Sequence, residues 1–193
     1  MRKDASDPTG LSPSAETAAA GPKGFTPRPG QVICGDLNMR IDRNGIWYYM
    51  GSPIGRKELV KLFATVLRRD AAGDYWLITP AEIGRIEVED APFIAVELTR
   101  AGDGPDQVLS FRTNVGKIVT VDAGHPIRVV TDPATGEPSP YVVMEGGVEA
   151  RIGRAVYYDL VDLGHQETTA GGKIFGVWSS GAFFILGRVE DDA

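Results

Sequence analysis

With 193 residues and 42% apolar content, the chain has material for one large domain or two small ones. Its formal charge of −6 excludes a general nucleic-acid binder, which needs Lys and Arg gathered on one surface; only the short clusters Arg68-Arg69 and Arg151/Arg154 occur. A single cysteine, Cys34, allows no intrachain disulfide and no Cys/His metal spacing, which fits a reducing cytoplasm.

Residues 1–30 are rich in Ala, Pro, Gly, Ser and Thr, carry no apolar segment of the kind a secretory signal needs, and read as a flexible arm. Asn44-Gly45 between alternating segments predicts a two-residue type I′ hairpin pairing 39–41 with 46–50. Ser52-Pro53 offers an N-cap hydroxyl and a first-turn proline, and Leu59, Val60, Phe63, Val66 and Leu67 recur at helical spacing, so a helix is predicted over 54–69. Strand character returns at 75–79 and 83–89, and Thr79-Pro80-Ala81-Glu82 between them has the form of a helix capping box. Strands at 93–99 and 108–112 are separated by turn chemistry over 101–106; 114–116 makes the next turn and 118–121 the next strand. Strands at 127–130 and 141–144 enclose a stiff, proline-bearing loop over 131–140. The segment 148–152 leads into a helix near 153–163 that stops at Gly164. Strands over 173–179 and 182–186 flank Ser180-Gly181, and 187–193 reads as a frayed acidic end. The longest apolar run, 182–186, is far short of the roughly 20 residues that cross a bilayer, so no membrane span is expected.

Ile54-Gly55-Arg56 and Ile152-Gly153-Arg154 are the same tripeptide, each at the start of a predicted helix. Each helix is preceded by a hairpin and followed by a hairpin with an aromatic strand, Tyr75-Trp76-Leu77-Ile78 or Phe183-Phe184-Ile185-Leu186. The repeated order predicts an α+β fold made of two strand-strand-helix-strand-strand units with antiparallel, partly barrel-like sheets. The expected organisation is an arm over 1–30, an N-terminal repeat over 31–113 and a C-terminal repeat over 114–193.

The segment 35–93 carries Asp-x-x-Gly-x-Trp-x-Tyr at 42–49, Gly-Ser-Pro-Ile at 51–54, Arg56, Leu-Phe-x-x-Val-Leu at 62–67, Thr-Pro-x-Glu at 79–82 and Val-Glu-Asp-Ala-Pro-Phe at 88–93. With Thr113-Asn114, His125-Pro126, Pro140-Tyr141-Val142 and Glu149-Ala150-Arg151, this ordered set resembles a proteobacterial family of unknown function, over nearly everything outside the first 30 residues. The resemblance implies a duplicated α+β fold whose second half is loosely similar to pleckstrin-homology domains. It also implies a site for a nucleotide-like ligand where the halves meet, and a role in signal transduction. It brings no catalytic residue.

Gly171-Gly172-Lys173 fails the phosphate-loop pattern because Ile174 stands where a hydroxyl residue would reach Mg²⁺, which leaves a hairpin-entry turn. Asp42-Arg43-Asn44-Gly45 starts like a calcium loop, but Pro53 occupies the place of the bidentate Glu. His125 and His165 have no nearby Cys and no nucleophile motif. No catalytic residue, metal ligand or cofactor is therefore assigned.

The arginines are the best candidates. Arg56 and Arg154 occupy the first turns of the two predicted helices, with Arg151 just ahead of the second, and cations there run against the helix macrodipole. They read either as anion ligands acting beside free N–H groups, or as ion-pair partners of Glu82, Glu89 or Asp90 across the junction. The candidate site brings Arg56, Arg151 and Arg154 together with Glu82, Asp90 and Asn114 in a cleft between the repeats, and Phe93 and Tyr141 complete the set. Trp47, Tyr49, Trp76 and Trp178 supply stacking surfaces or core. The leading reading is a cytoplasmic, non-enzymatic sensor or regulatory module for a small anionic, nucleotide-like ligand. The alternatives are a protein-interaction module using a sheet edge or the 131–140 loop, and a hydrolase using Glu82 or Asp90 with a metal.

Overall fold

A computed structural model of the protein describes residues 21–189. Most of the expected N-terminal arm, 1–20, and the acidic end over 190–193 lie outside the described residues. Residues 21–31 are not a free arm. Pro22 is buried, the Lys23 N–H donates to Asp70 Oδ2 (2.9 Å), and Gln31 Nε2 donates to the Thr79 carbonyl (2.6 Å).

The first half runs β1 (Val32–Ile41), β2 (Trp47–Tyr49), β3 (Ser52–Pro53), α1 (Lys57–Val66), β4 (Leu67–Arg69), β5 (Tyr75–Ile78) and β6 (Glu82–Val88). These strands form one sheet in the order β3-β2-β1-β6-β5-β4, antiparallel except where β1 lies parallel to β6. The expected pairing of 39–41 with the following strand is present, with Met39 opposite Tyr49 and Ile41 opposite Trp47. Its turn differs from expectation: of Asn44 and Gly45 only Gly45 has positive φ (+73°), and the Gly45 N–H donates to the Asp42 carbonyl (2.9 Å). Asp42 Oδ1 accepts from the N–H groups of Asn44 and Ile46, which favours this longer loop over the two-residue turn.

The helix is shorter than predicted. Ser52 and Pro53 pair with Tyr49 and Tyr48 as strand, and the helix opens four residues later from an Arg56 N-cap without a side-chain cap. At the other end Leu67, Arg68 and Arg69 leave the helical pattern to ladder with Leu77, Trp76 and Tyr75, where Leu67 is fully buried. The Thr79–Glu82 capping box likewise has no helix behind it. Thr79 Oγ1 accepts from the Glu82 N–H (2.9 Å) and donates to the Glu82 carbonyl (3.0 Å), closing the turn between β5 and β6.

The second half contains β7 (Phe93–Ala101), β8 (Val108–Thr113), β9 (Ile118–Thr120), β10 (Ile127–Thr131), β11 (Pro138–Val143), β12 (Glu149–Ile152), α2 (Arg154–Asp162), β13 (His165–Thr169), β14 (Gly172–Ser179) and β15 (Ala182–Arg188). One sheet has the order β10-β11-β12-β7-β8-β9, with β7 and β12 parallel; the other is the meander β13-β14-β15. The expected 131–140 loop is shorter, 132–137, since Pro138, Ser139 and Pro140 pair as strand with Thr131, Val130 and Val129. The type I′ geometry occurs at Ser180-Gly181 instead, where both residues have positive φ (52° and 75°). Gly164 ends α2 for a steric reason: a Cβ there would lie 2.3 Å from the Phe175 ring.

The chain is thus an internally duplicated α+β fold of curled, mainly antiparallel sheets, with one main helix per repeat. Three strands, a helix and three strands (β1–β6 around α1, β10–β15 around α2) occur twice, one strand longer on each side than the unit predicted. The repeats close differently: β6 returns to hydrogen-bond β1, whereas β12 pairs with β7. By hydrogen bonding, β7 and β8 belong with the later strands. A single hydrophobic cluster runs through both halves, from Met39, Ile41 and Trp47 to Phe93, Phe111 and Leu160.

Candidate functional site

Where β6 gives way to β7, Glu89 and Asp90 stand at the seam between the halves. Tyr141 on β11 and Arg151 on β12 are cross-strand partners, so both side chains reach the same face and meet Asp90. Tyr141 Oη donates to Asp90 Oδ1 (2.8 Å). Burial, and then the bond to the Asp90 carboxylate, push the Tyr141 phenol up to about 12, so it stays a donor at neutral pH. Arg151 Nη2 donates to the Arg43 carbonyl (2.8 Å). Its Nε lies 3.2 Å from Asp90 Oδ2, near enough for an ion pair but misaligned, so this buried N–H has no hydrogen-bond acceptor among the described residues.

Charged and aromatic groups extend the seam in both directions. Arg128 lies 4.7 Å over the Tyr141 ring and is held by the Glu149 carboxylate through two bonds (2.8 and 2.9 Å). The Glu149 bonds raise the Arg128 pKa despite the opposing effect of burial. On the other side the Arg43 N–H donates to Glu89 (3.1 Å), and Glu89 also pairs with Arg40. A pocket of about 360 Å³ lies over Asp90, Tyr141 and Arg151. Through Ser139 and Arg151, which line both, it adjoins a groove of about 480 Å³ at the amino end of α2. Arg154, Tyr157, Tyr158 and Glu137 line that groove. Arg154 is the first residue of α2, whose N-cap, Gly153, has no side chain to cap the helix. Arg154 Nε donates to Tyr158 Oη one turn later (3.0 Å).

Of the residues expected at the site, Asp90, Tyr141, Arg151 and Arg154 line this trough. Arg56 does not; it is exposed at the start of α1 and has no side-chain partner among the described residues. Glu82 begins β6 and is separated from Asp90 by the full strand, roughly 20 Å at about 3.3 Å per residue, so the two cannot share one anion. Phe93 is fully buried in the core, with Lys117 Nζ 5.5 Å over its ring, and is no ligand contact. Asn114 ties the halves together: it exchanges bonds with Ile94 (2.8 and 3.1 Å) and reaches the Gly45 carbonyl (3.5 Å). His125 is held by Asp122 in a loop (3.1 Å). Among the described residues no three His, Cys, Asp or Glu side chains cluster as metal ligands.

Sequence reasoning missed Arg43, Arg128, Glu149 and Tyr158. Tyr158 had a usable signal, its four-residue spacing from Arg154 on a helix. The Arg128–Glu149 pair had none, because cross-sheet register joins residues far apart in sequence.

Family models cover almost all of the described chain. The "Domain of unknown function (DUF1285), N-terminal domain" matches residues 29–91, and the "Protein of unknown function (DUF1285), C-terminal domain" matches 92–186. The chain belongs to the DUF1285 family. The two matches meet at the turn ahead of β7, and no strand ladder crosses that point among the described residues. Two solved DUF1285 structures are similar to it. A family protein from Silicibacter pomeroyi DSS-3 is 45% identical with a TM-score of 0.76, over 87% of this chain and 91% of that one. A family protein from Shewanella baltica OS155 is 32% identical with a TM-score of 0.53, over 66% and 91%. No functionally curated protein matches the DUF1285 chain. Among the described residues no helix is long and apolar enough to cross a membrane.

Proposed function

We propose that this DUF1285 chain is a non-enzymatic sensor or regulatory module with a role in signal transduction, and that it takes a small anionic, nucleotide-like ligand in the trough along the seam. One observation carries the reading: Arg154 and Tyr158 stand together at the uncapped amino end of α2 and at the rim of a 480 Å³ groove. The guanidinium and the first-turn N–H groups suit an anion, and the phenol faces of Tyr157 and Tyr158 suit a flat ring. Glu137 lies near enough to act on the charge of Arg154. The tight Asp90–Tyr141–Arg151 constellation forms the wall of the site, in keeping with the ion-pair reading of Arg151.

The test is a panel of mononucleotides and inorganic phosphate, followed by thermal melting. A ligand at about 100 times its Kd adds roughly 2.7 kcal/mol to native stability. Arg154→Ala should weaken binding about tenfold, the scale of one charge-assisted bond, and so roughly halve that stabilisation at the same ligand concentration, while leaving the unliganded melting temperature unchanged. A wild-type chain whose melting no anion shifts would overturn the reading. A protein partner then takes precedence, supported by the exposed apolar side chains of Tyr49, Met50 and Leu62 beside an apolar groove of about 410 Å³ along α1.

A further inference from the structure

The groove of about 410 Å³ along α1 has an almost wholly apolar lining. Met39, Tyr49 and Pro53 line it from the strands, Leu59 and Phe63 from the helix, and Ile54 from the segment between. Apolar side chains continue beyond it. Leu62, three residues along α1 from Leu59 and so its surface neighbour, is 60% exposed, and Tyr49 is 53% exposed. Met50 is 70% exposed and, with Gly51, makes the two-residue turn between Tyr49 and Ser52, both at positive φ (47° and 81°). Asn or Gly takes that backbone conformation at least cost, and an exposed methionine gains nothing from a core. A methionine so placed suits a surface that a partner covers.

The sheet edge limits what that partner is. β3 is the edge strand, only two residues long, and Pro53 has no N–H to offer a further strand. An occupant therefore seats side chains in the groove instead of extending the sheet, as an amphipathic helix does. Charge narrows the choice further. Around Ile54 the groove adjoins a pocket of about 280 Å³ that Lys57 and Lys61 line. Arg56, Lys57 and Lys61 are accompanied by a single acid, Glu58, which pairs with Lys61 (2.9 Å). Arg56 and Lys57 have no side-chain partner among the described residues. In a chain of net charge −6 this rim has the opposite sign to the whole, and it complements an acidic partner.

We propose that the groove along α1 is a docking surface for an acidic amphipathic helix of another protein. Apolar anchors one turn apart on that helix fill the groove and cover Tyr49, Met50 and Leu62, while its carboxylates lie over Arg56, Lys57 and Lys61. The surface is separate from the trough at α2 and does not depend on it.

The experiment selects a phage-displayed library of helical peptides with randomised surface positions against the full chain, at an ionic strength of about 0.15 M. The expected peptides combine aromatic or aliphatic residues one turn apart with an excess of Asp and Glu. Made synthetically, they should bind about tenfold more weakly to Met50→Asn, which suits the turn, and to Leu62→Gln, which changes an exposed helix position. Both variants should keep the melting temperature of the parent, so lost binding is not lost folding. Arg154→Ala should bind the peptides unchanged, so failure at α2 and failure here are told apart. A selection that yields no binder, binders without the acidic excess, or acidic binders held equally well by Met50→Asn and Leu62→Gln overturns the proposal.

Discussion

Asp70 is 8% exposed and accepts four hydrogen bonds, from the N–H groups of Lys23, Ala72 and Asp74 and from the Trp76 indole. Burial alone would raise its pKa, but the four donors outweigh burial and hold the carboxyl below its ordinary value. The native state therefore binds its proton less readily than the unfolded chain does. The resulting stability is fully present above the unfolded value near 3.9 and is lost as pH falls through the lower folded value. Melting temperature should accordingly drop below about pH 4. Asp70→Asn should cost roughly 3 kcal/mol at neutral pH and flatten that acid slope, both readable from melts across pH. None of this was legible in the sequence, where Asp70 is one acid in a turn. Arg154 at the start of α2 was legible because residue type conflicts with local dipole, but the same signal also pointed to Arg56, which stands apart from the trough. Phe93 was misplaced because a place in a sequence signature says nothing about which way the side chain faces.

Elements were legible where local chemistry acts alone. The strands at 75–78, 93–101 and 108–113, helix α2 and the final hairpin follow from alternation, helical spacing and turn residues. Errors fell where tertiary pairing overrode a local signal: Ser52-Pro53 became strand instead of cap, Leu67–Arg69 became strand instead of helix, and Thr79–Glu82 became a strand-to-strand turn. The polar strand β13 was missed because His165–Thr169 shows no apolar alternation and exists through its ladder with β14. The chain before β1 gives a test at this scale. Removing residues 1–20, whose composition offers little apolar surface, should leave the melting temperature unchanged. Extending the deletion through Gln31 removes the bonds to Asp70 and Thr79 and should cost about 2–4 kcal/mol by denaturant unfolding.

At the scale of the whole molecule, strand ladders stay within each half, and the halves are joined by side chains and a shared core. Arg151 with Asp90 and Arg43, Tyr141 with Asp90, Arg69 with Glu149 (3.6 Å), Asn114 with Gly45, and Lys117 Nζ with the Ala64 carbonyl (2.9 Å) contribute to the polar seam. The Asp90–Arg151 pair is partly exposed, at 29% and 36%. A double-mutant cycle with Asp90→Ala and Arg151→Ala should therefore return a coupling of only about 0.5–1 kcal/mol. A coupling near zero would mark Arg151 as free to serve a ligand instead. The parallel pairing of β7 with β12 has a consequence for synthesis. The first half can close β1 onto β6 as soon as Val88 has emerged, but Phe93 must wait for its partner Ala150. At translation rates of about 5–20 residues per second, β7 spends several seconds with one edge open while the strands between are made. Its alternating segment Phe93–Ala101 is the stretch of a nascent chain most in need of cover, which an early β8 supplies on one edge only.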